Sequence, residues 1–194
     1  YTTRQAMDYF SPSNFPFTNP EVLKVIQETN GENLARGFRN WQEDMERTIL
    51  GAPPAGAENY EVGKNLAVTP GQVVHRGELF ELVQYAPAAA RTYTRPLVAI
   101  PPQINKYYIS DLAPGRSFVE HTVAAGIPYF AVSWRNPTPA QRDWDLATYV
   151  SACKEAIEIA CDISASDDAN VAGMCAGGIT LACLLGHLAV TDES

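Results

Sequence analysis

The chain has 194 residues, of which 46% are hydrophobic, which suffices for one sizeable core with an appendage. Its formal net charge of −8 and its lack of clustered Lys and Arg disfavour a nucleic-acid-binding surface. No run of 18 uncharged apolar residues and no signal-like start (YTTRQAMDYF) occur, so we expect a cytoplasmic protein without a membrane span.

The first 65 residues predict an arm followed by a small helical region. Three prolines in YFSPSNFPFTNP predict an extended arm over residues 1–19. The NPE motif that begins at Asn19 predicts a helix start, and Gly31 predicts its end. A second helix is predicted over 32–50 from an apolar stripe with spacings of three and four, namely Leu34, Phe38, Trp41, Met45 and Ile49. We expect the stripe to pack on the domain, with a partner surface as the alternative.

Residues 66–194 predict an α/β fold. GQVVHRGELFELVQYAP predicts two strands with a turn at Arg76-Gly77. From RPLVAIPP onward the pattern is strand, helix, strand, helix, strand, helix, which is typical of a mostly parallel sheet with helical crossovers. Together with the motif at Cys175, described below, this order predicts the N-terminal half of an α/β-hydrolase core.

The stretch DWDLATYVSACKEAIEIACDI predicts one long amphipathic helix with Asp143 as its N-cap. Cys153 and Cys161 fall on the apolar face of this helix, and Cys183 falls in a later apolar helix. We therefore predict all three as core residues. The four cysteines of the chain form no C-x-x-C pair, which argues against a zinc site and a disulfide framework.

The segment NVAGMCAGGIT contains a match to the strand-to-helix turn that carries the nucleophile of α/β-hydrolases. Gly173 and Gly177 flank Cys175 in the pattern G-x-nucleophile-x-G, with cysteine in place of serine. Bare glycines at these positions let the strand and the helix approach each other at a sharp turn. We predict that Cys175 is a nucleophile; the alternative is a tight glycine turn in which Cys175 only packs.

Two backbone amides are candidates for an oxyanion hole. The N-terminus of the helix after Cys175 favours a thiolate, and the N–H of Ala176 can donate to an oxyanion. A second donor is expected in the loop IPPQINKYY after the first parallel strand, from Gln103, Ile104 or Asn105, and we name Ile104 as the candidate. The alternative for this loop is a merely rigid connection.

We also expect Asn105, Tyr107 and Trp134 to border a substrate pocket. Trp134 lies in SWRNP at the carboxyl end of the second parallel strand, the side where open α/β sheets bind ligands. The alternatives are loop packing for Trp134 and a core or rim position for Tyr107.

No histidine is placed to act as the base for Cys175. His187 follows twelve residues later in the same predicted helix, about 18 Å along it, and His75 and His121 fit packing or surface positions. In α/β-hydrolases the acid and then the histidine follow the nucleophile. We therefore expect both to lie beyond Ser194, in which case the chain is a fragment that is inactive alone.

Several phrases together resemble the polyhydroxyalkanoate synthases, most closely those that carry an N-terminal helical region and act without a second subunit type. The phrases are NWQEDMER, EVGKNLAVTPGQVVHRGELFELVQYAP, PLVAIPPQINKYYISDLAPGRSFVEH, FAVSWRNP and NVAGMCAGGIT. The resemblance covers nearly the whole chain.

The resemblance implies polymerisation of (R)-3-hydroxyacyl-coenzyme A (CoA) into a polyester with release of CoA, so CoA is part of the substrate and no separate cofactor is expected. It implies that Cys175, in a G-x-C-x-G-G box, carries the acyl chain, with an aspartate and a histidine further along. It links residues 1–65 to dimerisation and granule association, so we expect a homodimer at the surface of polymer granules.

Two alternatives remain open from the sequence. One is a cysteine-nucleophile hydrolase of small esters or lactones, which needs no N-terminal helical region. The other is a non-catalytic granule-associated relative that keeps the turn at Cys175 as fold geometry only. Cysteine suits the synthase because acyl transfer from CoA to Cys175 exchanges one thioester for another and keeps the acyl group activated.

Overall fold

Residues 1–59 form one compact unit of the computed structural model, and this unit is mainly helical. The structure describes residues 1–191. The helices are α1 (Thr2–Tyr9), α2 (Pro20–Glu28) and α3 (Glu32–Leu50). The Asn19 side chain caps α2 by accepting hydrogen bonds from the backbone amides of Glu21 and Val22. Gly31, with a φ of 81°, then precedes α3, so the two helices predicted after residue 19 are confirmed.

The extended arm predicted for residues 1–19 is wrong in its first half, where α1 is helical. Residues 2–9 contain neither proline nor glycine and include the good helix formers Arg4, Gln5, Ala6 and Met7. The prolines act only after this helix, where Pro12 opens a 3-10 turn (Pro12–Asn14). Proline therefore interrupts the segment without keeping all of it extended.

The apolar stripe of α3 forms as predicted, but it is not buried. The rings of Phe38 and Trp41 stack with their centroids 5.6 Å apart. The five side chains of the stripe are between 42% and 77% exposed. The stripe is therefore not part of a buried core, and its expected packing on the domain stays a prediction.

From Tyr60 onward the chain forms a second compact unit around a five-stranded sheet. The strands are β1 (Gly71–Arg76), β2 (Phe80–Tyr85), β3 (Leu97–Ile100), β4 (Asp111–Ala113), β5 (Arg116–Ser117), β6 (Tyr129–Trp134) and β7 (Asn170–Gly173). The helices are α4 (Phe118–Ala124), α5 (Leu146–Ser164) and α6 (Ala176–Thr191). The sheet order is β1-β2-β6-β3-β7, and β4 pairs with β5 separately.

Strand direction changes across the sheet. The hairpin partners β1 and β2 are antiparallel, and β2 is antiparallel to β6. The strands β6, β3 and β7 run parallel to one another. The predicted α/β class and the predicted hairpin are confirmed, and the carboxyl ends of the three parallel strands meet at one edge of the sheet.

Both faces of the sheet are covered by helices. Along β6, Phe130 and Val132 belong to the core cluster shared with α5 and α6, while Tyr129 and Ala131 belong to the cluster on the opposite face with α4. This alternation follows the two-residue period of a strand. A strand that is covered on both sides carries apolar residues at successive positions, as the sequence FAV of β6 does.

The long helix α5 is confirmed, but its predicted cap is wrong. Asp145, rather than Asp143, accepts a hydrogen bond of 2.9 Å from the amide of Thr148. The Thr148 hydroxyl in turn lies 3.4 Å from the amide of Asp145, which completes a capping box. Asp143 stands two residues too early because the helix starts at Leu146.

The predicted core cysteines differ in burial. Cys153 is fully buried between α5 and the sheet, and burial raises the pKa of its thiol to about 12. Cys183 is half-buried against the same cluster. Cys161 is also only half-buried; burial raises the pKa of its thiol, and Asp168 and other carboxylates nearby raise it further. Within residues 1–191, no helix has the length and apolar content needed to cross a bilayer.

Candidate active site

Cys175 occupies the turn between β7 and α6. Its φ of 54° lies in the left-handed region, where residues other than glycine are uncommon. The residue is exposed, unlike Cys153. A left-handed backbone angle at an exposed cysteine is the geometry that the G-x-C-x-G pattern predicts for the turn.

The two glycines of the motif are required by close backbone contacts. A Cβ on Gly173 would lie 2.8 Å from the Gly177 carbonyl oxygen. A Cβ on Gly177 would overlap the carbonyl oxygen of Ile100 and lie 2.9 Å from the carbonyl oxygen of Pro101. The prediction that these positions must stay bare is therefore confirmed, and α6 starts in contact with the end of β3.

The N-terminus of α6 points its amides toward the turn. The Gly177 amide donates to the Met174 carbonyl at 2.9 Å, and the Ile179 amide donates to the Cys175 carbonyl at 3.2 Å. The amide of Ala176 makes no backbone hydrogen bond among the described residues. An N–H adjacent to Cys175 is thus available to a ligand, next to the positive end of the helix dipole.

The loop after β3 holds the three residues considered as a second donor. The Asn105 amide donates to the Pro102 carbonyl at 3.1 Å, and the Gln103 side chain donates to Thr180 Oγ1 at 3.0 Å. Ile104, whose side chain is 86% exposed, makes no backbone hydrogen bond through its amide among the described residues. The backbone amide of Gln103 makes no backbone hydrogen bond among the described residues either, so the choice of Ile104 as the second donor stays a prediction.

Trp134 lies at the carboxyl end of β6, as predicted. Its indole Nε1 donates to the Pro101 carbonyl at 2.8 Å, and its ring packs edge-on against Phe80 and Tyr149. The indole N–H is therefore already hydrogen-bonded to the loop after β3, which favours the loop-packing alternative for Trp134. Contact of Trp134 with a substrate stays a prediction.

Tyr107 begins a 3-10 turn (Tyr107–Ser110) in the same loop and is half-buried. Its ring packs edge-on against Tyr108 with centroids 5.4 Å apart. Burial raises the pKa of the Tyr107 hydroxyl, and the carboxylate of Asp111 raises it further. This is a rim position, and the roles of Tyr107 and Asn105 in substrate binding stay predictions.

The three histidines lie in positions that give none of them a hydrogen bond to Cys175 among the described residues. His75 lies 3.3 Å from Glu155 and packs against Phe80. His121 is exposed on α4, and His187 is exposed on α6. No hydrogen bond or ion pair among the described residues joins any of them to Cys175. In the same part of the chain, no group of three or more His, Cys, Asp or Glu side chains could hold a metal ion.

The fold and the turn define an α/β protein that presents a cysteine at the carboxyl edge of its parallel strands. Residues 1–122 match the family described as the poly-beta-hydroxybutyrate polymerase (PhaC) N-terminus. The chain therefore belongs to the PhaC polymerase family, which the resemblance predicted.

Curated relatives match nearly the whole chain. It is 45% identical over 182 residues to poly(3-hydroxyalkanoate) polymerase 2 of Ectopseudomonas oleovorans, covering 93% of this chain and 32% of the relative. It is 44% identical over 196 residues to the poly(3-hydroxyalkanoate) polymerase subunit PhaC of Cupriavidus necator, covering 100% of this chain and 33% of the relative. It is 42% identical over 196 residues to the poly(3-hydroxyalkanoate) polymerase of Methylorubrum extorquens, covering 98% of this chain and 32% of the relative. The chain spans about a third of the length of these relatives.

Proposed function

We propose that this chain is the nucleophile-bearing part of a polyester synthase that polymerises (R)-3-hydroxyacyl-CoA and releases CoA. The observation that carries the proposal is the exposed Cys175 with its φ of 54°, set between two glycines whose close contacts exclude a side chain. Similarity to curated poly(3-hydroxyalkanoate) polymerases supplies the substrate class. The chain then contributes the first part of an α/β-hydrolase fold.

In the proposed loading step, the thiolate of Cys175 attacks the thioester carbonyl of the hydroxyacyl-CoA. A bond forms between the carbonyl carbon and Cys175 Sγ, the bond to the CoA sulfur breaks, and CoA leaves as a thiolate that takes up a proton. The negative charge on the carbonyl oxygen during attack is stabilised by the N–H groups of Ala176 and Ile104. One thioester replaces another, so the acyl group stays activated.

In the proposed extension step, a hydroxyl oxygen attacks the thioester on Cys175 and forms an ester while Sγ leaves. The attacking hydroxyl must lose a proton, which calls for a general base. Within the part of the chain that the structure describes, no hydrogen bond joins any of the three histidines to Cys175. We therefore assign the base to a histidine, with its carboxylate partner, in the remainder of the whole protein.

The other predicted residues have proposed roles at the substrate entrance. Asn105 and Tyr107 border the substrate entrance on the loop after β3, and Trp134 borders it from the end of β6. CoA enters and leaves as part of the substrate, and the reaction as written needs no further cofactor.

The N-terminal helices have a proposed role in assembly. The exposed stripe on α3 supports a contact surface in this unit, because exposed apolar patches mark interaction sites. Dimerisation and work at the surface of cytoplasmic polymer granules are the roles that we propose for it.

The test supplies the whole protein with (R)-3-hydroxybutyryl-CoA and measures CoA release and insoluble polyester. Cys175→Ala should lower CoA release on the order of 10³-fold or more, because the covalent step loses its nucleophile. Cys183→Ala, in the following helix, is the matched control and should retain turnover.

Each alternative predicts a different result in the same assay. Soluble hydroxy acid as the sole product would support the hydrolase of small esters or lactones and reject the synthase. Undiminished polymer from Cys175→Ala would exclude Cys175 as the acyl carrier. The 194-residue chain alone should show no sustained CoA release, and repeated turnover by it would contradict the assignment of the base to the rest of the protein.

A further inference from the structure

The loop after β3 is joined to α6 by a side-chain hydrogen bond between residues 77 positions apart in sequence. Gln103 Nε2 donates to Thr180 Oγ1 at 3.0 Å. Thr180 lies one turn into α6 and is 2% exposed, whereas Gln103 is half-buried, so this bond is partly buried. Neither residue belongs to the G-x-C-x-G motif.

The Thr180 hydroxyl extends the connection to Ala176. Its Oγ1 lies 3.0 Å from the Ala176 carbonyl oxygen. A carbonyl only accepts, so the hydroxyl proton of Thr180 points at Ala176 and its lone pair is left for the Gln103 amide. The two bonds form a directed chain from Gln103 through Thr180 to the carbonyl of Ala176, which lies one peptide group after the Ala176 N–H.

The same loop is fixed from the opposite side. Trp134 Nε1 donates to the Pro101 carbonyl at 2.8 Å, two residues before Gln103. Gly177 of α6 lies directly against Ile100 and Pro101, where even a Cβ has no room. The loop is therefore held by a donor from β6, by the backbone of α6 and by Thr180.

We propose that Gln103 and Thr180 are positioning residues that set the Ile104 N–H relative to the Ala176 N–H. Each of the two amides lies next to one end of the connection, since Ile104 follows Gln103 and the carbonyl of Ala176 accepts the Thr180 hydroxyl. An oxyanion hole depends on donors fixed where charge develops, so a loose loop lowers the rate without removing a reacting group. This inference rests on the proposed function of Cys175.

The test compares Thr180→Val, Thr180→Ser and Gln103→Met in the whole protein, with CoA release from (R)-3-hydroxybutyryl-CoA as the assay. Thr180→Val keeps the side-chain shape and removes the hydroxyl. We expect it to lower kcat on the order of tenfold to a hundredfold with KM changed by less than about twofold. Thr180→Ser should restore kcat because it restores the hydroxyl.

Gln103→Met removes the other end of the same bond. The double variant Gln103→Met/Thr180→Val should be no slower than the slower single variant, because both changes break one connection. Gln103 is only half-buried, so Gln103→Met should fold and still test the inference if Thr180→Val fails to fold.

Thr122 supplies a matched control. It is 4% exposed, and its hydroxyl donates to the Phe118 carbonyl at 2.7 Å, the same four-residue spacing within α4. Thr122→Val should lower stability as Thr180→Val does and leave kcat unchanged.

Three results would overturn the inference. The first is an unchanged kcat in Thr180→Val or Gln103→Met, and the second is a loss of kcat in Thr122→Val equal to that in Thr180→Val. The third is a fold-loss of kcat in the double variant equal to the product of the two single fold-losses. Failure of the proposed function gives a different result, namely full turnover by Cys175→Ala. The two failures are therefore distinguishable within one set of assays.

Discussion

The two units of the chain hold their structure in different ways. Within residues 1–59, all of which the structure describes, no residue is buried. From Tyr60 onward two clusters of fully buried side chains cover the two faces of a sheet. Local signals such as the Asn19 cap and Gly31 suffice to place helices in the first unit, whereas packing forces backbones together in the second. The strained turn at Cys175 lies where such packing exists, because strain persists only when its surroundings hold it.

The largest expected contrast comes from one substitution made in both units. Gly177→Ala places a methyl group on the carbonyl groups of Ile100 and Pro101, so we expect it to cost more than about 4 kcal/mol or to prevent folding of the sheet unit. Gly37→Ala in α3 meets nothing within 4 Å and should stabilise its helix by about 0.5–1 kcal/mol.

Urea unfolding and soluble yield of the two glycine variants check this contrast. A second control is Gly186→Ala, which lies in α6 itself and also meets nothing within 4 Å. A Gly177→Ala protein as stable as the Gly186→Ala protein would contradict the close approach of α6 to β3.

The next contrast uses leucine. Leu82 is 0% exposed in β2, and Leu34 is 51% exposed in α3. Leu82→Ala should lower the free energy of unfolding by about 2–5 kcal/mol, because it leaves a cavity in a packed core. Leu34→Ala should change it by less than about 0.5 kcal/mol. Equal losses, measured by urea unfolding, would show that the α3 stripe is as buried as the sheet core.

The smallest expected effect concerns the two helix caps. The amide and hydroxyl of Thr148 donate to the Asp145 carboxylate and hold its pKa below the ordinary value of 3.8. A lowered folded-state pKa stabilises the folded protein at any pH above the ordinary pKa. This contribution is lost as the pH falls through the folded-state pKa. Asn19, which caps α2, carries no titrating group.

Asp145→Asn keeps a capping oxygen and removes the charge. We expect a small fall in Tm at pH 7 relative to the unmodified protein, and this difference should shrink as the pH falls below about 4. Thermal unfolding between pH 3 and pH 7 measures it. A difference that is the same at every pH in this range would contradict the lowered pKa of Asp145.

The sequence predicted features that follow from local patterns. The five strands of the main sheet, the helices α4 to α6, the α3 stripe and the bare glycines around Cys175 all follow from periodicity or from a short motif, whereas the short pair β4 and β5 was not predicted. Periodicity reports that a helix has an apolar face, but not what covers it, so the exposure of Leu34 and Trp41 was missed. Asp143 and Asp145 are equally good caps by residue type, and only the position of the first turn separates them.

The contacts of the loop after β3 could not be predicted from the sequence. Gln103 and Thr180 meet only because α6 crosses the end of β3, and Trp134 meets Pro101 only because β6 and β3 are neighbours. Neither bond has a signature in sequence spacing. The sequence shows a threonine five residues after the motif cysteine, but it does not show that Gln103 is its hydrogen-bond partner.

The central claim is that Cys175 carries the acyl group as a thioester, and butyryl-CoA tests it most directly. This substrate lacks the hydroxyl that chain extension needs, so it loads the nucleophile without forming polymer. After brief reaction with the whole protein and acid quenching, mass spectrometry of its peptides should place one butyryl group on Cys175 and none on Cys153, which is fully buried. A butyryl group on another residue, or its persistence in Cys175→Ala, would contradict the account.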